Sequence, residues 1–101
     1  MSIEARDAVF AALADEHRRV LLERLKDNNG QTLSSLCAGL GITRQAVTKH
    51  LVAMETANLV LTIKRGREKL HYLNPVPIHS VAMRWLSQFD KVRLADLEPL
   101  E

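Results

Sequence analysis

Four side chains near the middle of the chain, Arg44, Gln45, Thr48 and Lys49, fall at i, i+1, i+4 and i+5, a spacing that gathers them on one side of a helix. A guanidinium and a primary amide can each make paired hydrogen bonds to the edge of a flat heterocycle, a hydroxyl can donate or accept, and an ammonium neutralises an anion. Further along, Lys64, Arg65 and Arg67 surround Gly66. The charge is distributed to match. Between Thr43 and Tyr72, thirty residues carry six bases and two acids, a balance of +4, whereas the rest carries eight bases and ten acids, and the whole chain is only +2. A local basic surface suits a polyanion. A solvated charged hairpin would give the same tally, so the order of the surrounding elements has to decide.

Those elements must fit in 101 residues, of which 47% are hydrophobic and 26% charged. That is room for one small domain, read here as residues 1–101. Phe10, Tyr72, Trp85 and Phe89 are the only aromatics, so the core must be built from Leu, Val, Ile and Ala. The longest apolar run is Ala8 to Ala14, too short to span a bilayer. The first residues show no basic stretch followed by an apolar core, and the single cysteine, Cys37, has no internal partner, so a cytoplasmic setting without membrane contact is expected.

Periodicity predicts a first helix over Ile3 to Ala14 and a second over about Asp15 to Lys26, whose stripe of Val20, Leu21 and Leu25 leaves Arg18, Arg19 and Arg24 outside. Asn28-Asn29-Gly30 ends it in a turn. A third helix, capped by Thr32 or Ser34, presents Leu33, Leu36, Cys37 and Leu40 on one face and closes at Gly39-Leu40-Gly41-Ile42. Thr43 caps a fourth over Arg44 to Ala57, with Val47, Leu51 and Met54 inward and Val52 on the polar side. The period then changes to two, giving a hairpin over about 59–73 with its turn at Gly66. After Asn74-Pro75-Val76-Pro77 comes a last amphipathic helix over about 77–91, with Ile78, Ala82, Trp85, Leu86 and Phe89 on one face; the tail from Val92 to Glu101 reads as mixed and only partly ordered. The first helix adds Ile3, Val9, Phe10 and Leu13 to an apolar surface that so short a chain can hardly cover alone.

The fold class is therefore mainly α: a helix-turn-helix over about 33–57 followed by a two-stranded basic wing. Such a helix fits a major groove about 12 Å wide, where Thr43, Arg44, Gln45, Thr48 and Lys49 could meet bases and phosphates, while Lys64, Arg65 and Arg67 follow the backbone or an adjacent minor groove. His50 and His71 lie in the same region and either reach phosphate or make local hydrogen bonds. The competing reading is a winged helix used for protein–protein contact, which usually lacks both the basic wing and the polar helix face. No Gly-rich phosphate loop, paired carboxylates or nucleophile with a base is apparent, so no enzyme and no cofactor are expected.

Three stretches resemble the ArsR family of bacterial winged-helix repressors. Ala12-Leu13-Ala14-Asp15-Glu16-His17-Arg18-Arg19-Val20-Leu21-Leu22 is similar to the family's opening, Gly41-Ile42-Thr43-Arg44-Gln45-Ala46-Val47-Thr48-Lys49-His50-Leu51 to its recognition helix, and Gly66-Arg67-Glu68-Lys69-Leu70-His71-Tyr72-Leu73-Asn74 to its wing. The resemblance spans about residues 6 to 91. It implies a homodimer through the first and last helices, with Ile3, Phe10, Leu13, Ile78, Ala82, Trp85, Leu86 and Phe89 at the interface, acting on double-stranded operator DNA with two half-sites. It also names two metal positions. The thiolate pair corresponds to Thr32 and Ser34, and the ligands of the last helix to Pro75, Pro77, Gln88 and Lys91. None is a suitable ligand set, so a metal-independent branch is implied, with a metal-responsive repressor using a non-standard site as the alternative. Cys37 reads as core, His17 as a polar helix residue and His79 as a surface or dimer-seam residue. One cysteine cannot make an internal redox pair. No signature identifies an effector.

Overall fold

The computed structural model describes residues 2–92. Beyond Val92, the expectation of a partly ordered tail lies outside the described residues. The order of elements is α1 (Ile3–Leu13), α2 (Glu16–Asp27), α3 (Leu33–Cys37), α4 (Arg44–Thr56), β1 (Val60–Arg65), β2 (Glu68–Leu73) and α5 (Val76–Ser87). No helix among these residues is long and apolar enough to cross a membrane.

Four helices begin on a side-chain oxygen that accepts a free amide. Ser2 takes Ala5, Asp15 takes Arg18, Thr32 takes Ser35 and Thr43 takes Ala46, at 3.0–3.2 Å. Helix α3 has only five residues, shorter than its apolar periodicity predicts. Gly39 and Gly41, at φ +70° and +76°, turn the chain before a second helical turn can form, and Leu40 packs on the core from the turn instead. Helix α5 also falls short of residue 91. Its α-helical bonding ends at Ser87, whose hydroxyl donates to the Arg84 carbonyl, and tighter i to i−3 bonds carry the chain on to Val92.

Leu21 and Leu25 of α2, Leu36 of α3, Val47 and Met54 of α4 and Leu59 before β1 are fully buried and form the centre of the core. Val9 joins them, so it belongs to the chain's own interior and not to the apolar surface expected of α1. Arg18 and Arg24 differ from expectation in the opposite sense. Both are half-buried and turned inward, because neighbouring helix ends offer carbonyls with acceptor capacity to spare. Arg18 donates to Ala11 and Ala12 at the end of α1, Arg24 to Leu36 and Ala38 at the end of α3, and the more exposed Arg19 to Leu13.

Strands β1 and β2 pair antiparallel from Val60↔Leu73 to Arg65↔Glu68, leaving Gly66 and Arg67 as a two-residue loop. Gly66 has φ +63° and Arg67 does not share the positive angle, as in a type II′ turn. On its other side β2 makes a bridge that the sequence periodicity does not reveal. His71 donates its amide to Gln31 (2.8 Å), and its carbonyl accepts from Gly30 and Gln31. The α2–α3 turn thereby flanks the wing.

Gly30 (φ +82°) and Gly66 share a left-handed backbone but differ in surroundings. A Cβ on Gly30 would lie 3.1 Å from the Tyr72 hydroxyl oxygen and 3.2 Å from its ring, whereas one on Gly66 meets open space. Gly66→Ala is expected to lose about 1–3 kcal/mol through backbone strain alone, and Gly66→Asn to lose less, because Asn is better tolerated in primed turns. Gly30→Ala should lose more, and Asn should not rescue it. Urea unfolding of the four variants checks the order.

Candidate nucleic-acid interface

Helix α4 buries Val47, Leu51 and Met54, which leaves Thr43, Arg44, Gln45, Thr48 and Lys49 exposed over its first turns. Their hydrogen bonds are local. The Thr43 hydroxyl accepts the Ala46 amide, and Thr48 donates its hydroxyl back to the Arg44 carbonyl (3.0 Å). Arg44 Nη1 donates to Ser34 Oγ (3.2 Å), so a hydroxyl of α3 steadies the first cation of α4. Lys64, Arg65 and Arg67 are all exposed at the wing tip.

The two sets are joined by a cleft of about 430 Å³ between α3, α4 and the wing. Arg44 lines it from α4, Thr32 and Ser34 from the start of α3, and Arg67 and Lys69 from the wing, with the one carboxylate, Glu68, between them in sequence. Ser34 and Lys69 were not singled out as site residues in the sequence. Ser34 read as a helix cap, and the wing-strand position of Lys69 became informative only once the hairpin was folded against α4. Lys69 also lies 3.3 Å from Glu55 of α4, an ion pair that ties strand to helix.

His50 does not join the exposed side of α4. It is half-buried against the first turn of α2, where Arg18 Nη1 approaches its Nδ1 at 3.3 Å and Asp15 Oδ1 its Nε2 at 3.9 Å. Arginine only donates, so in the neutral form of the imidazole the proton lies on Nε2, towards Asp15. The Arg18 amide hydrogen bond holds the Asp15 carboxyl below its ordinary 3.8; partial desolvation opposes this, and the nearby His50 and Arg18 charges lower it further. The His17 ring lies 5.8 Å from that of His50, so three groups of metal-ligand type converge where the sequence showed only a polar helix residue.

His71 is likewise removed from the exposed surface. It is 4% exposed, and its Nδ1 donates to the Gln31 carbonyl at 3.0 Å because β2 is covered on that side by the α2–α3 turn. Cys37 is half-buried and packs against the core.

Outside this cleft, α1 and α5 leave an apolar surface. Ile3, Phe10, Trp85, Leu86 and Phe89 are exposed, with Trp85 at 51%, and the Trp85 and Phe89 rings meet edge to face at 5.0 Å. Ala82 is half-buried. Leu13 and Ile78, expected on the same surface, instead pack partly against the chain's own core, where they line a groove with Leu22 and Leu73.

A helix-turn-helix whose second helix is capped, polar and faced by a basic two-stranded wing defines a winged-helix transcriptional regulator that binds DNA. Residues 13–63 match the model of a helix-turn-helix domain family. The chain is 36% identical over 87 residues to YuzN, an HTH-type transcriptional regulator of Bacillus subtilis, covering 80% of this chain and 95% of that one. An ArsR-like transcriptional regulator from Rhodococcus sp. RHA1 superimposes with a TM-score of 0.75 at 34% identity, covering 96% of this chain and 92% of the other. A homodimeric winged helix-turn-helix DNA-binding domain from Mycobacterium bovis, a possible ArsR-family regulator, shares the fold at 16% identity and a TM-score of 0.69, with 85% and 80% covered. The chain belongs to the ArsR family of helix-turn-helix transcriptional regulators.

The lowered Asp15 carboxyl gives a sign for stability against pH. Its contribution is complete above its ordinary value of 3.8 and is lost as the pH falls through the lower folded-state value. Asp15→Asn should keep the cap at neutral pH and flatten the dependence of the unfolding temperature on pH below about 4. Thermal unfolding across an acid series measures both slopes.

Proposed function

We propose that the protein is a sequence-specific, dimeric repressor of the cytoplasm, acting on an operator with two half-sites, without catalysis and without a metal at the family's two usual positions. One observation carries the DNA-binding part of the reading: Arg44 of α4 faces Arg67 and Lys69 of the wing across a single cleft, which brings two basic elements to one duplex.

In this reading Arg44, Gln45, Thr48 and Lys49 reach base edges and phosphates from the start of α4, with Thr43 fixing its first turn. Lys64, Arg65 and Arg67 supply backbone contacts from the wing, joined by Lys69. His50 acts from behind, through Asp15 and Arg18, by positioning α4. The exposed Phe10, Trp85, Leu86 and Phe89, with Ile3 and Ala82, are covered by a second copy in a two-fold arrangement, and Leu13 and Ile78 support that surface from the core side. The homodimeric state of the Mycobacterium bovis domain supports this arrangement. Two α4 helices related by the axis then meet half-sites one helical turn, ~34–36 Å, apart.

Arg44→Ala and Gln45→Ala should each relax base preference and cost about 1–3 kcal/mol at the operator where a paired contact is lost. Arg65→Ala with Arg67→Ala should weaken operator and random duplex alike and reduce the slope of log affinity against log salt by about two units. A salt series on both duplexes distinguishes these roles; an α4 variant with unchanged base preference would place the reading surface elsewhere.

Trp85→Ala should leave the folded chain intact, because the indole stands outside the chain's own core, yet weaken the dimer by about 2 kcal/mol or more. Sedimentation equilibrium reads this directly. A wild-type chain that stays monomeric at micromolar concentration would overturn the interface.

A further inference from the structure

Asp15, His17 and His50 each offer one ligand atom, and the three atoms lie within 4.8 Å of one another. All three residues are half-buried, two on the first turn of α2 and its cap, the third on α4. From this geometry we propose that the trio binds one divalent transition ion of the zinc class and that the ion ties the start of α2 to α4.

The donor set selects the ion. Two imidazole nitrogens with one carboxylate oxygen suit Zn²⁺, Co²⁺, Ni²⁺ or Cu²⁺; Mg²⁺ and Ca²⁺ need mostly oxygen donors, and no thiolate is present for a soft ion. Bonds of about 2.0–2.2 Å in a tetrahedron place ligand atoms roughly 3.3–3.6 Å apart, so the trio must close by an ångström or so through side-chain rotation, with water completing the shell. Asp15 is already oriented, since its Oδ1 accepts the Arg18 amide hydrogen bond, an outer contact of the kind that fixes metal-binding carboxylates. The site differs from both of the family's usual positions, which hold Thr32 and Ser34 in one case and Pro75, Pro77, Gln88 and Lys91 in the other.

The ion also changes one contact. Arg18 now donates to His50 Nδ1 at 3.3 Å. Coordination through Nε2 moves the imidazole proton to Nδ1, which then donates and can no longer accept from the guanidinium. Arg18 keeps its bonds to the Ala11 and Ala12 carbonyls, while His50 exchanges one cation for another.

The test is titration of the full, untagged chain with Co²⁺ alone, followed by its d–d absorption and by competition with Zn²⁺. One ion per chain is expected. His17→Ala, which removes no core contact, should weaken Co²⁺ at least about tenfold with an unchanged circular dichroism spectrum. Asp15→Asn, which keeps the cap, should weaken it in the same direction, whereas Cys37→Ser and His79→Ala should leave it unchanged. No cobalt binding by the wild-type chain, or equal affinity in wild type and His17→Ala, overturns the proposal.

Discussion

Helices of five to thirteen residues, joined by turns of a few residues, leave terminal carbonyls short of α-helical partners, and at the ends of α1 and α3 the arginines of α2 supply donors. Arg18 and Arg19 close the end of α1, and Arg24 closes the end of α3. Of these five bonds two are partly buried, to Ala12 and Leu36, and three are exposed, so water competes with the charged donors and each contributes less than the ~1.5–3 kcal/mol of a shielded one. Helix α3 has too few residues to hold itself, so its place beneath α4 depends on Leu36 in the core and on Arg24 at its end. Through α3, the Ser34 hydroxyl and hence the Arg44 guanidinium inherit that position.

The same economy governs the basic surface. The three cations of the cleft come from two elements, and two of them have a neighbour that limits their motion: Ser34 for Arg44, Glu55 for Lys69. The Lys69–Glu55 pair has an exposed lysine and a half-buried carboxylate, and such a partly solvated pair contributes little to stability on its own. Its structural effect is to hold the strand that carries the wing against α4. The wing-tip residues Arg65 and Arg67 have no such restraint among the described contacts, and their charge extends from a two-residue turn into solvent.

How much of this was legible in the sequence depends on the range of the interaction. The Thr43 cap, the Val47, Leu51 and Met54 stripe and the turn at Gly66 rest on residues within one or two turns of each other, and the structure places each as read. Arg18 and Arg24 read as solvent-facing because, on a lone α2, their face is polar; the carbonyls that draw them in belong to α1 and α3. His71 read as part of an exposed wing because its cover, Gln31, is forty residues away along the chain. The meeting of Asp15, His17 and His50 escaped notice for the same reason: Asp15 and His17 sit at the start of one helix, and His50 comes from another. For Leu13 and Ile78 the amphipathic stripe was correctly placed on its helices, but a stripe does not say how its width divides between the chain's own core and an outer surface.

The bridge between Gln31 and His71 gives the wing a graded stiffness. At its base, β2 is hydrogen-bonded on both flanks, to β1 and to the α2–α3 turn, and behaves as the middle of three strands. Toward Lys64 and Lys69 only one flank is bonded, and at Gly66 neither is. Amide protons near His71 are therefore protected by two layers of structure, whereas those of the tip open to solvent by local fraying alone. A beam clamped at one end and free at the other bends most at its tip, so the wing can follow the contour of an uneven surface while its root stays in register with α4.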